Sequence, residues 1–159
     1  DIFKTVRTLG RLLGLPAEAE RLVAQIQKEV YQEEARAAKA RSRPRVYYEI
    51  DPTPSTVGPE SFMGGRISKA RGVNIVPKEL GLFPKISPEF VVEKDPEVIV
   101  ATYPNALETI RSRPGWSRIQ AVRTGRICVY TGGEASLLSR PGPRVAQALR
   151  LLVDCFHGR

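Results

Sequence analysis

The residue types that perform most protein chemistry are sparse in this sequence. It has one histidine, His157, beside the C-terminus, and two cysteines, Cys128 and Cys155, whose spacing fits no zinc motif. A histidine metal cluster and an interior Ser-His-Asp site are therefore excluded within the chain. A Gly-rich phosphate loop, a G-x-G-x-x-G turn after a strand and a G-x-S-x-G elbow are also absent. The residues therefore point to binding rather than catalysis, and no intrinsic cofactor is expected.

Two loop residues, Phe83 and Glu89, are the best candidates for recognition. Ser87 is a good N-cap and Pro88 suits the first position of a helix, so Glu89 is predicted in the first helical turn. The helix dipole favours a carboxylate at this position. The carboxylate is expected to be exposed to solvent, where it is available for a charge-assisted hydrogen bond with a cationic partner. Phe83 precedes this helix in an irregular segment that contains Pro77, Gly81 and Pro84.

The net charge of +8 raises the hypothesis of a nucleic-acid or anionic-lipid surface. The only dense basic cluster lies within residues 36–45, and it lacks the interleaved aromatics that a stacking platform for single strands needs. Elsewhere the basic residues alternate with acidic ones. We therefore interpret the chain as a basic piece of a larger protein and expect no nucleic-acid partner.

The cysteines and the first residues bear on the cellular compartment. Cys128 and Cys155 could pair in an oxidising compartment, or be two small buried hydrophobic residues. The sequence opens at Asp1 and runs directly into a helical pattern, without a basic and apolar leader. A fragment or a processed product is the expectation that follows.

The sequence predicts helices and strands that alternate along the chain. Two helices come first, over residues 1–13 and 17–40, each with apolar residues at helical spacing. Strands are predicted over residues 45–50, 73–76, 98–102 and 125–130, and later helices over residues 60–70, 88–94, 105–113 and 144–156. Phe62 is expected to face inward, residues 119–122 to be extended, and residues 131–139 to form a loop. This alternation predicts an α/β fold with a mostly parallel sheet and helices on both faces.

Ligands bind open α/β sheets at the carboxyl ends of the strands, where four predicted loops meet. The loop over residues 51–59 is rich in proline, the next contains Phe83, and the third begins with Tyr103. The fourth supplies one acid, Glu134, and one arginine, Arg140. An aromatic side chain there could equally pack against neighbouring loops. The edge is therefore predicted to be a binding face without a reaction centre.

Several ordered segments together resemble one protein family. They are Leu9-Gly10, Leu13-Gly14, Asp51-Pro52-Thr53-Pro54, Ser61-Phe62-Met63-Gly64, Ala70-Arg71-Gly72-Val73-Asn74-Ile75, Phe83-Pro84-Lys85-Ile86-Ser87-Pro88-Glu89, Asp95-Pro96-Glu97-Val98-Ile99, Trp116, Ala121-Val122, Gly125-Arg126-Ile127 and Arg140-Pro141-Gly142-Pro143-Arg144. The chain resembles the C-terminal half of the substrate-binding proteins of ABC importers for cobalamin, ferric siderophores and haem, with the cobalamin-binding branch nearest.

The resemblance implies two α/β lobes joined by one long helix, with ligand held between them. Residues 1–14 would match the connecting helix, and residues 15–159 a three-layer, Rossmann-like C-terminal lobe with about four strands. The N-terminal lobe, and any membrane anchor it carries, would lie outside this chain. A lone lobe could also associate with a copy of itself. The implied location is periplasmic or otherwise extracytoplasmic.

The resemblance also assigns roles to single residues. Glu89 would dock on arginines of the membrane permease, and Phe83 and Arg140 would face a cobalamin-like, haem or ferric-siderophore ligand. Tyr47, Pro52 and Glu134 are further cleft candidates. One departure is Arg71, which stands where the family has glycine in an Ala-Gly-Gly-x-Asn turn, so Arg71 must adopt backbone geometry typical of glycine.

Two other functions remain as alternatives at this point. A Rossmann-like nucleotide-binding or enzymatic domain would share the predicted fold, although the missing phosphate loop weighs against it. A basic nucleic-acid module would fit the net charge, and it would show salt-dependent binding to DNA.

Overall fold

The structure, a computed structural model, describes residues 1–158 and confirms the α/β class. The helices are α1 (Ile2–Leu12), α2 (Pro16–Ala38), α3 (Phe62–Lys69), α4 (Pro88–Lys94), α5 (Ala106–Ser112), α6 (Gln120–Thr124), α7 (Gly132–Ser139) and α8 (Val145–His157). The strands are β1 (Arg45–Asp51), β2 (Ser55–Thr56), β3 (Val73–Asn74), β4 (Val98–Ala101) and β5 (Ile127–Val129). Two 3₁₀ turns, Lys78–Leu80 and Trp116–Arg118, complete the elements.

The sheet is centred on β1 and is mostly parallel. β4 pairs in parallel with one side of β1, and β5 continues the sheet beyond β4. On the other side of β1, the parallel strand β3 pairs with its first residues and the antiparallel strand β2 with its last. All four parallel strands run in the same direction, as the sequence predicts, and β1, β4 and β5 end together at one carboxyl edge, whereas β3 ends opposite Val46.

Alternation along the central strands places two apolar cores on opposite faces of the sheet. Val46, Tyr48, Val98 and Val100 join one core, with residues from α2, α3, α7 and α8. Tyr47, Ile99 and Ala101 join the other core, with residues from α4, α5 and the turn at Trp116. Residues on successive positions of a strand point to opposite faces, so a strand covered on both sides is apolar throughout. This arrangement is the predicted three-layer lobe.

Helices α1 and α2 form a hairpin whose apolar side is largely open. Gly10 packs so closely on α2 that a Cβ there would collide with Ala19. The predicted apolar stripe of α1 is present, but Leu9 and Leu13 are 52% and 70% exposed. With Ile2, Val6 and part of the segment Pro141–Pro143, they line an apolar groove of about 660 Å³, here called the α1–α2 groove.

Helix α2 is fastened to α8 through a buried carboxylate. Glu33 accepts hydrogen bonds from Arg36 at 2.7 Å and from Arg150 at 2.8 Å, and Arg36 also reaches Asp154 at 2.7 Å. Burial alone would raise the pKa of Glu33, but the hydrogen bonds from Arg150 and Arg36 outweigh it and lower that pKa. Cys128 and Cys155 form a disulfide that joins β5 to α8, which resolves the two alternatives for the cysteines.

Three local predictions are wrong. Residues 120–124 form α6 instead of an extended segment, because the Asp95 carboxylate accepts the Gln120 backbone N–H at 2.8 Å and thereby caps the helix. Residues 132–139 form α7 instead of a loop. Phe62 is 42% exposed, and the neighbouring Met63 faces the core instead.

The predicted backbone geometry of Arg71 is confirmed, and Gly64 is a second position where the absence of a Cβ matters. Arg71 has a φ of 61°, the left-handed backbone conformation that a glycine would adopt without cost. The Gly64-Gly65 pair lies inside α3, where a Cβ on Gly64 would collide with the carbonyl oxygen of Gly58. Gly64 is therefore a close-packing position rather than part of a phosphate loop.

Candidate functional site

The loop that carries Phe83 is held against the sheet by backbone hydrogen bonds. The Thr56 N–H donates to the Pro84 carbonyl at 3.0 Å, and the Gly58 N–H donates to the Leu82 carbonyl at 2.7 Å. Residues 82–86 therefore run beside β2 almost as a further strand. Phe83 is 51% exposed on this segment. Its ring can therefore contact a ligand, while the backbone is fixed at the residues before and after it, Leu82 and Pro84.

The other predicted edge residues fall into two groups. Pro52, Glu134 and Arg140 are exposed, as a contact residue requires. Tyr47 is fully buried in the core between the sheet and α5, so its prediction as a residue lining an open cleft is wrong. The reason is that both faces of β1 are covered, and alternation along the strand turns Tyr47 into the core that contains residues of α4 and α5.

The Tyr47 hydroxyl leads to a network that sequence reasoning missed, centred on the fully buried carboxylate of Glu49. One carboxylate oxygen accepts from the Tyr47 hydroxyl at 2.6 Å and from Arg113 at 2.7 Å. The other accepts from Arg113 at 2.8 Å and from the Tyr103 hydroxyl. The guanidinium of Arg113 also lies 4.4 Å from the ring centre of Trp116. All four acceptor positions of the carboxylate are thus filled.

The environment of this network fixes its protonation. Burial raises the pKa of Tyr47, and the negative charge of Glu49 raises it further. Burial and the hydrogen bond to Glu49 also raise the pKa of Tyr103. For Arg113, burial would lower the pKa, but the hydrogen bond and charge of Glu49 outweigh it and raise the pKa. Both phenols therefore stay neutral donors and the guanidinium stays charged near neutral pH.

A second buried arginine, Arg66 of α3, holds the loop that carries Arg140. It donates to the carbonyl of Leu138 at 2.6 Å and to that of Arg140 at 3.1 Å. Burial lowers the pKa of Arg66, and no described carboxylate pairs with it. The C-terminal carbonyls of α7 supply the compensating partial negative charge. Arg66 therefore fixes the end of α7 and the start of the Pro141–Pro143 segment.

Glu89 lies where the capping pattern predicts. The Ser87 hydroxyl accepts the Phe90 N–H at 3.2 Å, and Pro88 opens α4, which leaves Glu89 exposed in the first turn. Glu89 lines a shallow groove of about 260 Å³ with Glu93 on the next turn and Arg118 on the neighbouring 3₁₀ turn. Its carboxylate is therefore accessible to a cationic partner.

Glu49 and Arg66, which were not identified from the sequence, share one property: most of their hydrogen-bond partners are distant in sequence. Glu49 is 54 residues from Tyr103 and 64 residues from Arg113. One sequence signal could have identified it, because a glutamate on the same face as Tyr47 in an otherwise apolar strand requires a buried partner. For Arg66 the sequence offers no comparable signal.

Known proteins resemble this chain over nearly its whole length. A family model described as periplasmic binding protein matches residues 1–132. A Bacillus subtilis protein named as an uncharacterised ABC transporter substrate-binding lipoprotein is 24% identical over 99% of this chain and 50% of its own length. A cobalamin-binding protein of Halobacterium salinarum is 28% identical over 98% of this chain and 44% of its own.

The solved structures agree on the fold. The apo form of a periplasmic haem-binding protein, RhuT from Roseiflexus sp. RS-1, superposes with a TM-score of 0.82 at 23% identity, over 98% of this chain and 63% of that protein. The present chain spans about half the length of the two relatives it matches in sequence.

Proposed function

The chain belongs to the periplasmic binding protein family, and we propose that it is the C-terminal lobe of the ligand-capturing component of an ABC importer. In this proposal residues 1–14 form the helix that connects two lobes, and residues 15–159 form the lobe itself. The ligand is held at the carboxyl edge of the sheet, against the other lobe. The relatives named as an ABC transporter lipoprotein and a cobalamin-binding protein support this assignment.

The exposed aromatic ring of Phe83 is the observation that carries the proposal. A half-exposed phenylalanine on a backbone fixed by hydrogen bonds to β2 is a preorganised apolar contact, which lowers the entropic cost of binding. Arg140 adds a cation, and Arg66 holds its backbone. Pro52 and Glu134 are exposed at the same edge. A cobalamin-like compound or another metal chelate would use such a mixture of apolar and polar contacts.

The α1–α2 groove supports the presence of a second lobe. Leu9, Leu12 and Leu13 are more than half exposed, which is unusual for adjacent leucines on a free surface. We propose that the other half of the protein packs along this face and buries it. The matched relatives are about twice as long as this chain, so they have the additional sequence that such a lobe needs.

Ligand titration tests the proposal directly. The full-length protein containing this chain is titrated with cyanocobalamin, haemin and ferrioxamine B, and heat release is measured by calorimetry. Saturable binding of one probe supports the function, and Phe83→Ala should weaken it by about tenfold because an aromatic contact is lost. If none of the three binds, the ligand class is wrong. The matched control is Tyr31→Ala, because the Tyr31 ring is 71% exposed on α2, away from the carboxyl edge of the sheet.

Glu89 is proposed to dock on the permease. It is exposed in the first turn of α4, where it can pair with arginines of a membrane partner. Glu89→Arg in the full-length protein should abolish uptake of the ligand by the reconstituted transporter while ligand affinity stays unchanged. Glu108→Arg, in the first turn of α5, is the control. A loss of affinity with Glu89→Arg would instead place this residue in the ligand site.

An extracytoplasmic location fits the same proposal. The disulfide between Cys128 and Cys155 is of a kind that persists mainly in oxidising compartments. One relative is named as a lipoprotein, which supports anchoring through a segment upstream of this lobe. Within residues 1–158, none of the helices combines the length and apolarity needed to cross a membrane.

A further inference from the structure

Three segments that leave the sheet at its carboxyl edge are tied to one buried carboxylate. Glu49 lies at the end of β1 and is in register with Ala101 at the end of β4. It binds Tyr103, just beyond β4, and Arg113, just beyond α5. Arg113 in turn donates to the carbonyl of Pro52, in the loop after β1, at 3.4 Å. Glu49 therefore fixes the relative positions of these segments.

The donors to Glu49 differ in their access to solvent. Tyr47 has no exposed surface, and the side chain of Arg113 is 12% exposed. Tyr103 is only partly buried, although its hydroxyl is engaged by the buried carboxylate. A ring anchored at its hydroxyl has few rotamers left, so the remaining surface of Tyr103 is presented in one orientation.

We infer that Tyr103 contacts the ligand through its ring and that Glu49 is the positioning residue that orients this ring. The inference rests on the proposed function and adds a contact residue to the same edge. On the sheet, Tyr103 follows β4 on one side of β1, whereas Phe83 lies beyond β2 on the other side. The two rings would bracket a ligand that sits over the end of β1.

Substitutions of Tyr103 distinguish the contribution of its ring to ligand affinity from that of its hydroxyl. In the full-length protein, Tyr103→Ala should weaken the binding of whichever probe binds best (cyanocobalamin, haemin or ferrioxamine B) by about tenfold, because the contact surface is lost. Tyr103→Phe keeps the ring and removes only its anchor, so a loss of about threefold is expected. The matched control is Tyr31→Ala, because Tyr31 is 71% exposed on α2, outside the edge.

The outcomes are distinguishable. Unchanged affinity of Tyr103→Ala overturns the contact, and a loss in Tyr103→Phe equal to that in Tyr103→Ala overturns the contribution of the ring, because the phenylalanine ring then adds nothing to the affinity. Full affinity of Tyr103→Phe overturns the positioning role of Glu49. If Tyr103→Ala does not fold at the assay temperature, Tyr103→Leu replaces it, because leucine keeps apolar volume without an aromatic face. If the unsubstituted protein binds no probe, the proposed ligand class fails and this inference fails with it.

Discussion

At the scale of single residues, the fold depends on a few buried charges whose partners are fully specified. The Glu49 carboxylate accepts two hydrogen bonds from Arg113 and one from each of two phenolic hydroxyls, so none of its acceptor positions is left open. Such a pair adds little over a well-packed apolar alternative, but the loss of one partner leaves a buried charge without compensation. Single substitutions in the pair should therefore be far more damaging than substitutions of exposed charges.

Arg113→Met should lower the free energy of unfolding by about 3–5 kcal/mol, because it leaves the Glu49 carboxylate buried and without its counter-charge. Arg113→Lys keeps the charge but loses the two parallel hydrogen bonds, so it should lower the free energy of unfolding by less than Arg113→Met does. Urea denaturation followed by circular dichroism measures both. Arg118→Met, at an exposed arginine on the adjacent 3₁₀ turn, should stay within about 0.5 kcal/mol of the unsubstituted protein. An equally small effect at Arg113 would contradict the role assigned to the pair.

Asp95→Asn should cost about 1 kcal/mol at neutral pH, because asparagine keeps only one of the two oxygens with which Asp95 accepts the backbone N–H and the side-chain amide of Gln120 at the start of α6. The same hydrogen bonds lower the pKa of Asp95 below its ordinary value of 3.8. A lowered pKa in the folded state contributes stability above the pKa of the unfolded chain, and this contribution is lost as pH falls through the folded-state value.

The stability difference between the unsubstituted protein and Asp95→Asn should therefore be constant above about pH 5 and shrink as the pH falls below about 4. Thermal or urea unfolding across this range measures it. Asparagine tolerates the left-handed backbone at this position, where φ is 48°, so backbone strain does not confound the comparison. Glu93→Gln, at an exposed position of α4, is the control. A difference that grows toward acid would refute the capping role.

At the scale of elements, helix α3 shows how closely one element can approach another. Its N-cap Ser61 accepts the Gly64 N–H at 3.0 Å, and the absent Cβ of Gly64 lets the helix rest on the backbone of Gly58 and Pro59. Gly58 belongs to the segment that pairs with Leu82, beside Phe83. The position of α3 and the position of the Phe83 loop are thus set by the same backbone contacts.

Gly64→Ala and Gly65→Ala form a matched pair. A Cβ on Gly64 meets backbone atoms that cannot move aside, so the free energy of unfolding should fall by about 1–3 kcal/mol or more. A Cβ on Gly65 meets open space inside the same helix, so Gly65→Ala should raise stability by about 0.5–1 kcal/mol. Urea denaturation measures both. Equal effects of either sign would show that close packing does not decide the outcome.

Elements whose signals are local could be predicted from the sequence, and elements that depend on distant partners could not. The N-cap Ser87 and Pro88 suffice to predict α4, and the family turn suffices to anticipate the backbone of Arg71. Helix α6 depends on Asp95, 25 residues earlier, and the end of α7 depends on Arg66, more than 70 residues earlier. The candidate site divides in the same way, because Phe83 and Glu89 follow local patterns whereas Glu49 is defined by contacts across the sheet.

At the scale of the whole molecule, the α1–α2 hairpin presents a large exposed apolar surface. The exposed leucines of the α1–α2 hairpin are Leu9, Leu12, Leu13, Leu15 and Leu22. Burial of such side chains contributes about 1.5–3 kcal/mol each, so a surface that presents several of them favours association. In the proposed full-length protein the other lobe would cover this face, whereas in isolation a second copy of the chain would.

Residues 1–159 expressed alone should therefore form dimers as concentration rises, and the full-length protein should stay monomeric. Leu13→Gln places an amide in the α1–α2 groove and should weaken the dimer by about tenfold or more. Sedimentation equilibrium measures the dissociation constant. Leu107→Gln, which changes a leucine that is 38% exposed on α5, should have no effect. A monomer at all concentrations would exclude self-association through this face.

The pairing of residues 82–86 with β2 has a consequence for solubility as well as for recognition. A terminal β-strand with unpaired N–H and C=O groups can recruit strands of other chains and begin fibrous aggregation. The Phe83 segment accepts the hydrogen bonds of the Thr56 and Gly58 amides at this border, and its Pro84 has no backbone N–H to donate. Substitutions that loosen this pairing would leave the Thr56 and Gly58 amides open to strands of other chains, so the loop that carries the Phe83 ring also protects the protein from aggregation.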